Sequence, residues 1–326
     1  MPLVATETEY VPPAPFRNGH VQTVWAGLCR RVEGVGYVRE RIETPDGDFL
    51  DLDWARVGAE RVAVLSHGLE GSSDRPYVRG MARALNRRGW DVVAWNYRGC
   101  GGEPNRLPVF YHSGATADLD VVVGHVLAGP GYATAALIGF SLGANLVLKY
   151  AGERGEGLDP RLRRVVAFSA PCDLAAGSAY MARRAAAVYM RRFMRSFHAK
   201  LRAKKARFPD LLDDAGFERL RTFAEYDGRY TAPLHGFRDA SDYYERCSSR
   251  RYLHAIRVPT LIVNAADDPF LPPACYPVEE TRAHPFVRLE IPRYGGHIAF
   301  VDFDPEGTYW SERRAAAFLG GEGSGR

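Results

Sequence analysis

The chain has 326 residues, 46% hydrophobic and 25% charged, with 43 lysines and arginines against 39 aspartates and glutamates. Those proportions describe a packed globular protein and exclude wholesale disorder, collagen-like structure and a disulfide-stapled mini-domain, and the formal charge of +4 is too mild for a dedicated nucleic-acid binder. Five scattered cysteines lack Cys-x-x-Cys spacing, residues 1–14 show no signal-peptide pattern, and no apolar run nears the ~18–20 residues that cross a bilayer, so a cytoplasmic setting is expected, without disulfides, metal or other cofactor.

After the proline-rich start, residues 37–43 and 49–54 read as two strands joined through Pro45-Asp46-Gly47-Asp48, a hairpin signal. The apolar run 61–66 (RVAVLS) marks a strand buried on both faces. Residues 77–88 carry helical spacing after a Ser72-Ser73-Asp74 capping cluster, and 91–97 return to strand. A helix at 117–127, a strand at 133–140, a helix at 142–151 and a strand at 165–170 continue the alternation; strands at 260–264 and 288–291 and a helix at 305–319 close it. This predicts an α/β protein with a mostly parallel central sheet and helices on both faces. Residues 172–255 hold no convincing buried strand and read as an inserted helical cap or lid. The expected division is an N-terminal extension (1–36) packing on the core, a core from 37–171 and 256–320, the cap between them, and a frayed tail at 321–326.

The chemistry concentrates where the strand 133–140 runs into Gly139-Phe140-Ser141-Leu142-Gly143 and a helix follows at once. In that context G-x-S-x-G is a tight turn that lifts a serine hydroxyl above the carboxyl ends of the strands. A serine needs a base, and the base an orienting acid, which should follow in the order acid then histidine, each after a late strand. Strand 260–264 leads into Asp267-Asp268-Pro269 and strand 288–291 into Gly295-Gly296-His297. Asp268 is favoured over Asp267 as the acid, and both stay open. Of the nine histidines, His297 alone sits in a Gly-flanked loop after the last strand; His112 is a candidate for lining the pocket. Donors for a developing oxyanion are expected from the backbone N–H groups of Leu69, in the turn Ser66-His67-Gly68-Leu69-Glu70-Gly71, and Leu142.

These stretches, together with residues 17–23 (RNGHVQT), 96–100 (NYRGC), 103–107 (EPNRL) and 111–114 (YHSG), resemble the YheT-like branch of the α/β-hydrolases, a group of serine esterases. The resemblance runs from Pro15 to the terminal helix. It implies the α/β-hydrolase fold, a charge relay of Ser141, Asp268 and His297, and hydrolysis of small-molecule carboxylic esters, including acylglycerols or other lipid-like esters. A thioesterase or acyltransferase with the same triad, and a non-catalytic lipid-binding member, are the competing readings; the oligomeric state is open.

Between residues 180 and 208 stand ten basic residues and no acidic one, leaving 33 basic against 39 acidic elsewhere. Tyr189, Phe193, Phe197 and Leu201 recur every four residues beside them, the stripe of an amphipathic helix. Two readings follow: a solvated cap helix whose arginines pair with acids elsewhere, which is favoured, or a helix that meets an anionic membrane surface peripherally.

Overall fold

The computed structural model describes residues 10–129 and 131–321, so the expected tail beyond Gly321 and the first nine residues of the extension lie outside it. Eight strands form one sheet: β1 (Val38–Glu43), β2 (Phe49–Ala55), β3 (Arg61–Ser66), β4 (Asp91–Asn96), β5 (Thr134–Phe140), β6 (Leu162–Phe168), β7 (Thr260–Val263) and β8 (Val287–Glu290), in the order β1-β2-β4-β3-β5-β6-β7-β8. β1, β2 and β4 pair antiparallel in succession, and every other pair is parallel. The helices of eight residues or more are α1 (Gly19–Leu28), α2 (Pro76–Asn86), α3 (Thr116–Ala128), α4 (Leu142–Arg154), α5 (Leu174–Met181), α6 (Ala187–Arg207), α7 (Ala240–Cys247) and α8 (Trp310–Leu319).

Alternation along each strand builds the layers. In β3, Val62 and Val64 face a cluster completed by Leu119, Val122 and Val126 of α3 and Leu146 and Val147 of α4. Ala63 and Leu65 face the opposite cluster, with Val78, Met81 and Leu85 of α2 and Ala315 and Phe318 of α8. Each fully buried Leu or Val contributes roughly 1.5–3 kcal/mol, so covering both faces with apolar side chains is what drives this three-layer packing.

Two helix starts differ from expectation. Ser73 does not cap α2: its hydroxyl donates to Asp53 at 2.5 Å and its N–H to Asn96 Oδ1 at 2.9 Å, while Pro76 opens the helix after Arg75. A buried acid claimed the serine that spacing assigned to the cap. α8 starts at Trp310 rather than near Pro305, because Glu312 reaches back to accept the Tyr309 N–H at 3.0 Å. Between β6 and β7 the described residues form helices and turns with no strand, around an apolar cluster of their own (Met190, Met194, Phe197, Leu201, Phe217, Tyr226 among others). The last stretch, Ser249–Ala255, returns to the sheet: Leu253 joins the α3/α4 cluster, and a Cβ on Gly152 of α4 would lie 2.2 Å from the Tyr252 carbonyl oxygen.

Candidate active site

Ser141 stands between β5 and α4 with φ 54° and ψ −118°, a conformation that costs a non-glycine residue on the order of 1–3 kcal/mol. The flanking glycines are there because backbone passes close by. A Cβ on Gly139 would lie 2.2 Å from Gly143 O, and one on Gly143 2.2 Å from Ser66 O. With those contacts closed to larger residues, the turn is fixed and the serine hydroxyl projects from the carboxyl edge of the sheet.

Loops after β7 and β8 bring the other two side chains to it. His297 Nε2 is 2.8 Å from Ser141 Oγ, and His297 Nδ1 is 2.9 and 3.1 Å from the two carboxylate oxygens of Asp268. Because the carboxylate only accepts, Nδ1 carries the proton and Nε2 is left to accept from the serine hydroxyl. Asp268 Oδ1 also accepts the Phe270 N–H at 2.8 Å, and the Phe270 ring stacks on the imidazole with centroids 4.2 Å apart. Asp267 points away: its Oδ1 accepts the Gly296 N–H at 2.9 Å, and burial pushes its pKa up.

The histidine loop has no ladder partners, and side chains from elsewhere in the sequence hold its N–H groups. Thr23 Oγ1 accepts from His297 at 2.9 Å, Ser169 Oγ from Ile298 at 2.9 Å, and Gln22 Oε1 from Val301 at 2.9 Å. Thr23 and Gln22 belong to α1, within the 17–23 stretch, so the N-terminal helix buttresses the histidine. Sequence reasoning missed them; the available signal was a glutamine on a helix that turns out fully buried.

The expected oxyanion turn is stapled on three sides. The His67 ring donates from Nδ1 to Gly68 O at 2.8 Å and accepts the Tyr97 N–H at Nε2, 3.3 Å away; burial drops its pKa to about 3, so it stays neutral. Gly68 N–H donates to Tyr77 Oη at 2.9 Å and Glu70 N–H to Tyr111 Oη at 2.8 Å. Between these two occupied donors, the Leu69 N–H has no protein acceptor among the described residues, nor has that of Leu142. Both residues line one cavity with Ser141 and His297.

The family model for the alpha/beta hydrolase fold matches residues 63–304, which span the serine turn, both loops and the oxyanion turn. The chain belongs to the α/β-hydrolase family. YheT of Escherichia coli (strain K12), which is named as an esterase, is 37% identical over 91% of this chain and 88% of its own length, and sets the hydrolase in the YheT-like branch of ester hydrolases. A mouse relative named phospholipase ABHD3 is 29% identical over 92% of this chain and 74% of its own. The solved structure of the Pyrococcus furiosus esterase Pf2001 shares the fold, with a TM-score of 0.60 and 18% identity over 89% of this chain and 95% of its own.

The cavity of the hydrolase measures about 140 Å³ and is walled largely by apolar side chains, among them Leu174, Met181, Phe193, Phe197 and Phe223. His112 lines it; its Nδ1 accepts the Gly114 N–H at 3.2 Å, and burial holds its pKa well below the usual imidazole value. Glu70, beside Leu69, accepts from Tyr111 Oη at 2.7 Å, from Lys200 Nζ at 2.8 Å and from the Ser196 hydroxyl, so α6 is tied to the oxyanion turn. Among the described residues, no three His, Cys, Asp or Glu side chains converge on a metal position, and no helix is long and apolar enough to cross a membrane.

The basic run splits in two. Lys200 pairs with Glu70, Lys204 donates to the Asn105 and Leu107 carbonyls, and Arg207 donates to Asn105 O at 2.9 Å, so the C-terminal half of α6 is fastened to the core. The guanidinium groups of Arg184, Arg191, Arg192 and Arg195 have no hydrogen-bond or ion-pair partner among the described residues. The reading in which the arginines pair with acids therefore fails for these four.

Proposed function

We propose that this carboxylic ester hydrolase works by nucleophilic catalysis at Ser141. His297 Nε2 takes the hydroxyl proton as Oγ bonds to the acyl carbon, and Asp268 stabilises the imidazolium that results. The Leu69 and Leu142 N–H groups receive the charge that develops on the carbonyl oxygen. As the ester C–O bond breaks, the imidazolium gives its proton to the leaving alkoxide; water then repeats the sequence on the acyl-enzyme and releases the acid. The observation that carries this reading is the unbroken hydrogen-bond line Ser141–His297–Asp268, at 2.8 and 2.9 Å, on a serine held at positive φ. The apolar walls suit an acyl chain, and the mouse relative's name points the same way, toward lipid-like esters. Purified protein should release p-nitrophenol from short or medium acyl esters, and Ser141→Ala should lower kcat by about 10⁴-fold or more. A variant as active as the parent refutes the assignment. Thioesters and alcohol acceptors run in the same assay separate hydrolysis of oxygen esters from thioesterase and acyltransferase chemistry.

A second element of the reading is peripheral contact with an anionic membrane surface. The unpaired Arg192 and the exposed Val188 (80%) of α6 line a cleft of about 370 Å³ opposite Leu28 (71% exposed) of α1, and that cleft also reaches Ser141 and His297. An apolar rim beside a free guanidinium is the pattern of an interfacial docking face.

A further inference from the structure

Two carboxylates line the cavity beside Ser141, and one is neutralised. Glu70 has the Lys200 ammonium at 2.8 Å. Asp227 has no lysine, arginine or histidine at ion-pair distance among the described residues. Its Oδ1 accepts from the Thr231 hydroxyl at 2.6 Å and its Oδ2 from Tyr244 Oη at 2.7 Å; Tyr244 Oη in turn lies 3.0 Å from Ser178 Oγ. All four side chains line the cavity. Asp227 opens a π-helical turn, Asp227–Thr231, a rare geometry that concentrates at functional positions.

A carboxylate offers about four acceptor positions, and two are used here. Burial pushes the Asp227 pKa up to about 6, and the cavity wall also carries Tyr226, Tyr243 and phenylalanines. The two hydroxyls offset part of the cost of placing a carboxylate there, its remaining acceptor positions suit a further donor, and aromatic faces add attraction for a cation.

We propose that Asp227, with Thr231 and Tyr244, forms a polar subsite in the cavity wall that takes a hydrogen-bond donor, a hydroxyl or an ammonium, carried by the part of the ester that fills the cavity. The subsite rests on the ester-hydrolase reading above, since it selects among esters of that site.

The test compares kcat/KM for matched esters ending in methyl, hydroxyl or ammonium over a range of chain lengths, placed first on the acyl side as p-nitrophenyl esters and then on the alcohol side as butyrates. At the length that spans Ser141 to Asp227, a donor-ended ester should exceed its methyl counterpart by about tenfold or more, the scale of one charge-assisted hydrogen bond. A gain for ammonium alone identifies a cation site, and a gain for both a general donor site. In Asp227→Asn, checked for folding by thermal unfolding, the ammonium-to-methyl ratio should collapse toward unity. The wild-type comparison needs no variant, so the proposal stays exposed even if the substitution unfolds the segment. Methyl-ended esters preferred at every length on both sides, or a ratio unchanged in Asp227→Asn, overturns the subsite while leaving the hydrolase reading intact; no turnover of any ester refutes the hydrolase reading instead.

Discussion

Adjacent aspartates with opposite duties show what a single residue's surroundings decide. Asp268 faces His297 Nδ1 at 2.9 Å, whereas Asp267 accepts from the Gly296 backbone at 2.9 Å. Asp268→Asn should therefore cost about 10⁴-fold in kcat by losing the orienting charge, and Asp267→Asn much less because it only loosens a loop; steady-state kinetics of the two variants decides, and equal losses would contradict the pairing. Ser141 and His297 were legible in the sequence because glycine spacing and position after a strand constrain them strongly. Thr23, Gln22 and Ser169 were not, because they act through N–H groups of a loop far away in sequence, and nothing local distinguishes such a polar residue from a solvated one.

In α6 the apolar stripe marks only part of the buried face. The every-fourth stripe Tyr189, Phe193, Phe197, Leu201 does turn inward, with Phe193 and Phe197 on the cavity. The buried face is broader, taking in Met190 and Met194, because a helix covering a pocket packs on two sides at once. The long-range link was invisible: Lys200 looked like one more solvated base, yet it holds Glu70, the residue after Leu69, in a strained φ of 54°. Lys200→Met should loosen the Leu69 N–H and lower kcat by about tenfold with little change in KM, and Lys200→Arg should restore part of the loss. A change confined to KM would show that the contact serves only the pocket.

Across the whole molecule, strand and helix alternation made the sheet and its two covering layers readable, since each buried strand is a short apolar run and each helix follows directly. Surface charge is readable in amount and in its place along the chain but not in its pairing, because pairing depends on tertiary neighbours. Of the ten basic residues at 180–208, four guanidinium groups are unpaired among the described residues, and one of them, Arg192, lines the cleft that reaches Ser141. Cosedimentation should show binding to vesicles containing phosphatidylserine but not to pure phosphatidylcholine. That binding should weaken steeply as salt rises past about 0.15 M and drop when Arg191, Arg192 and Arg195 are changed to glutamate. Equal binding to both vesicles would contradict an electrostatic face.

The central claim is that one serine, activated by His297, carries the acyl group. A fluorophosphonate probe reports this directly, because it reacts with a serine only where a base and oxyanion donors are assembled. Peptide mass spectrometry of the folded, labelled protein should place one phosphonyl group on Ser141, with labelling lost in His297→Ala. A folded protein that hydrolyses esters while Ser141 stays unlabelled, or that carries the label on another residue, would contradict the account.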